Sequence, residues 1–180
     1  YLAYLIQDLL YYSDIILQDS QSKTSREDLK EIITTLANAK RSTLGQNKQI
    51  LRTELTGDWP LFSVDRRRIE LALGAILDNA IKFTQPGGEI SLTGVLSERE
   101  LSLTISDNGP GIAPEERAKI FEKFYQIDPH NTGQIRGFGL GLFYARQFVM
   151  DHGGDISLDS TVGKGTTVTI RLPRPSISSS

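Results

Sequence analysis

Apolar residues recur along this chain at two periods, and the switch between them divides it into helices and strands. Residues 1 to 19 carry Leu2, Leu5, Ile6, Leu9, Leu10, Tyr12, Ile16 and Leu17 at helical spacing, which predicts an amphipathic helix. It opens at Tyr1-Leu2-Ala3 with no capping residue, so it reads as the end of a longer helix whose apolar face suits a helical pair or a dimer seam. A terminal helix folded back on its own domain is the plainer alternative. After polar residues 18 to 24, Ser25 and Asp28 form a candidate capping box, and Leu29, Ile32, Ile33, Leu36 and Leu44 extend a helical face to about Gly45.

A strand is expected near 49 to 55, followed by a helix that Asp65 would cap and that turns Ile69, Leu73, Ile76, Leu77 and Ala80 inward as far as Phe83. Pro86-Gly87-Gly88 ends it. Residues 89 to 96 and 100 to 106 alternate apolar and polar around Ser97-Glu98-Arg99, which predicts a hairpin ending at Asp107. A short helix over 114 to 124, a mobile polar loop over 126 to 136, a helix over 140 to 152 and strands near 155 to 159 and 165 to 171 complete the pattern. Pro173, Pro175 and the serine-rich end read as a frayed tail. Helices mixed with antiparallel hairpins, without strict βαβ alternation, predict an α+β domain with helices layered on one face of a mixed sheet.

Composition narrows this only a little. The 180 residues, 38% hydrophobic and 23% charged, suit one soluble domain with its own core. A net charge of -2 gives no general attraction to nucleic acid or membrane. Arg66-Arg67-Arg68 lacks interleaved aromatics and reads as a solvated helix face, so no nucleic-acid partner is expected, and Trp59 beside Pro60 reads as a packed loop anchor. Absence of cysteine removes disulfides and thiolate zinc sites and suits a cytoplasmic setting. No run reaches the roughly 20 apolar residues of a membrane span, although a parent chain could be membrane-anchored.

Chemistry concentrates at three places. Asn79 and Lys82 stand at i and i+3 on one helix face, where an amide oxygen could complete a Mg²⁺ shell and an ammonium could balance phosphate charge. Taken alone, the pair reads equally as the polar stripe of an amphipathic helix. Asp107 ends an apolar strand and needs donors, of which an exocyclic adenine amine is one; alone, Asp107-Asn108-Gly109-Pro110 is also ordinary turn chemistry. Gly137-Phe138-Gly139-Leu140-Gly141-Leu142 precedes a helix whose N-terminus favours phosphate, yet no Gly-Lys-Ser/Thr follows to make it a Walker loop.

The order and spacing of these runs resemble the ATP-binding catalytic domain of sensor histidine kinases, in the GHKL superfamily that also holds gyrase and the MutL repair proteins. Leu77-Asp78-Asn79-Ala80-Ile81-Lys82-Phe83-Thr84 resembles the family's N box, and Asp107-Asn108-Gly109-Pro110-Gly111-Ile112 its first glycine box. Ile120-Phe121-Glu122-Lys123-Phe124-Tyr125 resembles its phenylalanine box, and Gly137 to Leu142 its second glycine box. His152-Gly153-Gly154-Asp155-Ile156 and Gly163-Lys164-Gly165-Thr166-Thr167 are similar to its C-terminal pattern, and Leu5-Ile6-Gln7-Asp8-Leu9-Leu10 to the end of the second dimerisation and phosphoacceptor helix.

The resemblance implies a two-layer α/β sandwich of the Bergerat type, with residues 1–22 as the end of the dimerisation helix and linker, 23–173 as the catalytic domain and 174–180 as a disordered tail. It implies Mg²⁺ on Asn79, phosphate contact by Lys82, packing by Phe83, adenine recognition by Asp107, and close passage of Gly109, Gly111 and Ile112 by the base. Gly137, Gly139, Leu140, Gly141 and Leu142 would form a hinge and phosphate cradle, residues 125 to 136 the ATP lid, and Arg136 a cation at the lid's end. Thr166 completes the nucleotide-binding set. Phe121 and Phe124 would support the lid, although core packing is the plainer expectation for both.

Three departures from the family pattern matter. Ala75 stands where the family usually has a second asparagine, and Phe138 where it has threonine. Only His130 and His152 are present, neither in the acidic, basic and proline context of an acceptor histidine, so the acceptor is expected before Tyr1. The implied function is presentation of the ATP γ-phosphoryl group to a histidine outside the chain. The implied partners are the dimerisation and phosphoacceptor domain, a response regulator and a second copy of the full-length kinase. The fragment itself would bind ATP and Mg²⁺ without autophosphorylation. A nucleotide sensor without phosphoryl transfer is the alternative that Ala75 suggests; a GHKL-type ATPase would need glutamate at 75 as its base.

Overall fold

The structure is a computed structural model that describes residues 23–127 and 139–176. The expectations for the first helix, for most of the polar loop with His130, Arg136, Gly137 and Phe138, and for the last four residues lie outside these. The chain runs β1 Ser25–Glu27, α1 Leu29–Ala39, α2 Arg41–Gln46, β2 Ile50–Thr56, β3 Phe62–Val64 and α3 Arg66–Phe83. It continues with β4 Glu89–Leu96, β5 Glu100–Asp107, a 3₁₀ turn Lys119–Phe121, α4 Gly141–Asp151, β6 Asp155–Thr161 and β7 Gly165–Pro173.

Five strands form a mixed sheet in the order β2-β4-β5-β7-β6, with β2 parallel to β4 and every other pair antiparallel. Side chains alternate across a strand, so the register sorts residues into rows on one face. One inward row is Leu55, Gly94, Leu103, Ile170 and Ile156; the next is Thr53, Leu92, Ile105, Val168 and Leu158. Apart from the exposed Thr53 on the edge strand, these rows meet Ile69, Ala72, Leu73, Ile76, Leu77 and Ala80 of α3 and Ala145, Phe148 and Val149 of α4 in one core. The outer face carries Ser102, Thr104, Ser106, Thr167 and Thr169, with hydroxyl pairs such as Ser106 to Thr167 at 2.8 Å. The α+β sandwich with helices on one face is therefore as expected. Gly94 has no side chain because the Trp59 ring fills the space, which makes Trp59 the loop anchor that was expected.

The third inward row breaks the apolar rule. It runs Leu51, Ile90, Asp107, Thr166 and Ser160, so three polar side chains sit together at one end of the core face.

Several local expectations change. Asp28, not a Ser25 capping box, starts α1: its carboxylate accepts from the Lys30 and Glu31 amides, while Ser25 pairs with Val64 in a small sheet of β1 and β3. The helical face to Gly45 breaks at Lys40, whose ammonium pairs with Asp78 of α3 at 2.5 Å. The helix expected over 114 to 124 reduces to turns and one 3₁₀ turn, because Ile120 alone is buried and Phe124 is left-handed at φ 63. The arginine run is not simply solvated. Arg66 joins Glu27, Glu31 and Glu70, which raises its pKa, while Arg68 is 8% exposed against Asp65, Asp151 and the Phe148 ring.

His152, at the end of α4, locks the two long helices together. Its Nε2 accepts from the Asp65 amide at 2.8 Å, and its Nδ1–H donates to the Phe148 carbonyl at 2.6 Å. Both ring nitrogens are committed, in one neutral tautomer. His152→Ala removes both bonds and should cost about 2 kcal/mol, a fall in Tm of roughly 4–8 °C by circular dichroism.

Candidate functional site

The polar end of the sheet row is where the chain's glycines converge. Asp107 Oδ1 accepts from the Gly109 amide at 2.9 Å. Burial raises the Asp107 pKa, and the backbone N–H groups of Gly109 and Thr166 pull it down only in part. Among the described residues no ion pair reaches this carboxylate. An ionised group taken out of water without a counter-charge is a standing cost, and it is met only if a donor arrives.

The glycines serve the walls of the site. A Cβ on Gly109 would lie 2.9 Å from the Phe83 carbonyl oxygen and 2.8 Å from Asp107 Oδ1, so glycine lets the loop close against the end of α3. Gly111 has φ +71, and a Cβ there would overlap the Thr161 carbonyl at the end of β6. The same loop is fastened to the β6–β7 turn by Gly163 N–H donating to Pro110 O at 2.7 Å and Ile112 N–H to Ser160 Oγ at 2.8 Å. The expectation that Gly109 and Gly111 make room for a base thus acquires a different cause, namely contact with protein backbone.

At the C-terminal end of α3, Asn79 is half-buried and, among the described residues, no hydrogen bond engages its side-chain amide. Lys82 stands one turn on, its Nζ 4.8 Å from the centroid of the Phe83 ring. Ala75, one turn before Asn79, packs at the margin of the core and offers only a methyl group. Gln49, which sequence reasoning missed, holds this end of the helix. It is buried, and its Nε2 donates to the Ile81 carbonyl at 2.8 Å and the Thr84 carbonyl at 2.6 Å. No local pattern announces it, since its partners lie 32 and 35 residues away.

A third wall begins at Gly139. Its carbonyl accepts from the Phe124 amide at 3.0 Å, and its φ of +70 together with the Tyr125 carbonyl leaves no room for a Cβ. Buried Leu140 precedes α4 and makes no side-chain cap, so among the described residues no side chain caps the first amides at Gly141 and Leu142. Phe121 packs at the core margin as expected, but Phe124 is 63% exposed, which overturns core packing for that residue; its left-handed backbone turns the ring outward. The Tyr125 hydroxyl bonds Glu116. Phe83, Asp107, Gly109, Gly111, Ile112 and Thr166 are thus joined by contact or through Ser160, with Asn79 and Lys82 on the adjoining helix.

A family profile described as histidine kinase-, DNA gyrase B-, and HSP90-like ATPase matches residues 64–176. The chain belongs to this family. Sensor protein SrrB of Staphylococcus aureus is 43% identical over 115 residues, which cover 64% of this chain and 20% of that protein. The mycobacterial sensor histidine kinase MprB superposes with a TM-score of 0.72 at 29% identity, over 86% of this chain and 100% of the other. Full-length ShkA, solved in complex with AMPPNP, superposes with a TM-score of 0.82 at 23% identity, over 97% of this chain and 36% of the other, a likeness that speaks for the fold alone. The chain is a histidine-kinase catalytic ATP-binding domain with the Bergerat fold, homologous to those of two-component sensors, and it spans 20% of the length of the curated relatives.

Among the described residues no helix is long and apolar enough to cross a membrane.

The raised pKa of Asp107 has a defined sign. Its protonated form is favoured by the fold, so its contribution to stability is full below the unfolded value of 3.8 and is lost as pH rises through the higher folded value. Asp107→Asn keeps a neutral group at every pH. Its stability relative to the wild type should therefore increase as pH rises from about 4 to about 7, as read from urea midpoints without nucleotide.

Proposed function

We propose that this domain binds ATP with Mg²⁺ and, in the intact protein, presents the γ-phosphoryl group to a histidine on a segment outside the chain. The observation that carries this reading is Asp107: a half-buried carboxylate that, among the described residues, has backbone donors only, beside a helix end that bears Asn79 and Lys82. It would accept from the adenine amine. Lys82 would balance phosphate charge, and the uncapped start of α4 at Gly141 and Leu142 would orient phosphate oxygens. Gly137 and Arg136 would extend that phosphate cradle.

The donor set fits magnesium delivered with the nucleotide. Mg²⁺ keeps most of its waters and needs few protein oxygens, and the Asn79 amide, which no hydrogen bond engages among the described residues, would supply one. When bound, the ion supplies charge neutralisation at the phosphates. Beyond the charge of Lys82, the chain's contribution would be positioning, with Gln49 holding the helix end and Ser160 the opposite loop.

Residues 1–22 would be the end of the dimerisation helix and 23–173 the catalytic domain, with 174–180 as a tail. The partners would be a dimerisation and phosphoacceptor domain, a response regulator and a second kinase copy, in a parent protein that is cytoplasmic or membrane-anchored. His152 is an unsuitable acceptor because both ring nitrogens are already engaged, Nε2 by the Asp65 amide at the start of α3 and Nδ1 by the Phe148 carbonyl of α4. Ala75 is the one observation that favours a sensor without transfer, and a fusion experiment separates the two readings.

Calorimetry should show ATP binding by the 180-residue chain, weakened about tenfold or more by Asp107→Asn. The chain alone should take up no acid-labile, base-stable label from γ-labelled ATP, and a fusion to an upstream helix bearing an acceptor histidine should. A fusion that binds ATP yet stays unlabelled would favour the sensor.

A further inference from the structure

The hydroxyl of Ser160 is fully committed, and its neighbours leave it one arrangement. Ser160 is 3% exposed on β6 and is the register partner of Thr166, which is in turn the register partner of Asp107. Its Oγ lies 2.9 Å from the Gly165 carbonyl oxygen, 2.8 Å from the Ile112 amide nitrogen and 2.9 Å from Thr166 Oγ1. A serine hydroxyl has one hydrogen to donate and two lone pairs to accept with. The Gly165 carbonyl only accepts, so it takes the hydrogen. The Ile112 amide only donates, so it fills one lone pair. What remains for Thr166 is the second lone pair, and Thr166 must fill it with its own hydrogen. Thr166 Oγ1 is then left with acceptor capacity alone, beside a carboxylate that also only accepts.

We propose that Ser160 is a positioning residue that fixes the hydrogen-bond polarity of Thr166, and thereby makes the site prefer a 6-amino purine over a 6-oxo purine. The inference rests on the reading of Asp107 as the group that recognises the base. A 6-amino group brings two hydrogens to this pair of acceptors, whereas a 6-oxo group brings a third acceptor, and the single ring N1–H that accompanies it can serve only one of the pair. Sites built around buried polar groups reject a ligand that leaves them unpaired more strongly than apolar pockets reject a poor fit. Removing the Ser160 hydroxyl frees the Thr166 hydrogen to turn and donate to a 6-oxo group.

The test compares ATP with ITP, which carries oxygen in place of the 6-amino group, by calorimetry with Mg²⁺ on the wild-type chain, Ser160→Ala, Thr166→Val and the double variant. The wild type should bind ATP the more tightly. Ser160→Ala should lower the ratio Kd(ITP)/Kd(ATP) by about 3- to 10-fold, and should change it no further in the Thr166→Val background. A purely structural serine would weaken both nucleotides equally and leave the ratio alone, which would overturn the proposal, as would an equal shift in both backgrounds. If Ser160→Ala shows no melting transition, Thr166→Ser and Thr166→Val decide: the first should keep the wild-type ratio and the second lower it, and an unchanged ratio in Thr166→Val overturns the proposal. Wild-type chain that binds neither nucleotide overturns the ATP-site reading itself, whereas ATP binding with an unchanged ratio in Ser160→Ala overturns the polarity proposal alone.

Discussion

A carboxylate forced into the end row of an otherwise apolar sheet face is the constraint around which this domain is arranged. Asp107 occupies a position whose strand neighbours Leu101, Leu103 and Ile105 all point into the core, so the register alone carries it inward. Burial opposes its charge, and only two backbone N–H groups oppose the burial. The free domain therefore carries a partly desolvated acceptor, and a ligand donor relieves it.

The surrounding chain keeps that acceptor from being satisfied internally while holding it still. Gly109 and Gly111 let the loop after β5 close against Phe83 and Thr161. Ser160 fastens the same loop to β7 through Ile112 and Gly165. On the other side Gln49 grips the carbonyls at the end of α3, which fixes the helix turn bearing Asn79 and Lys82. His152 and Arg68 set how α3 and α4 pack. Positioning residues thus come from the turn before β2, from β6, from the first turn of α3 and from the end of α4.

Much of this was legible in the sequence because it is local. The periodicity that predicts α3 and the β4–β5 hairpin depends on residues a few positions apart, and Asp65 caps α3 through the Arg68 amide three residues on. Asp107, Asn79 and Lys82 were legible for the same reason, as residue types at fixed spacing. What was not legible depends on long-range partners. Gln49 has no local signature, Arg66 and Arg68 look solvated until Glu27, Glu31 and Asp151 are folded against them, and β3 is too short for its period to show without β1 beside it. Phe124 was misread because helical spacing was assumed through a segment whose backbone turns left-handed there. Ser160 shows the distinction most clearly: nothing in Leu158-Asp159-Ser160-Thr161 marks it, and its role follows only once the register places it beside Thr166.

The most direct measurement is the titration of Asp107 itself, followed by carbon NMR of its labelled carboxyl group in the chain, with and without ATP and Mg²⁺. In the free domain it should titrate above the ordinary aspartate range, because burial dominates, and its pKa should fall when nucleotide binds, because an adenine amine donates to the ionised form. A carboxyl that titrates at the ordinary value and does not move when nucleotide binds would contradict the account.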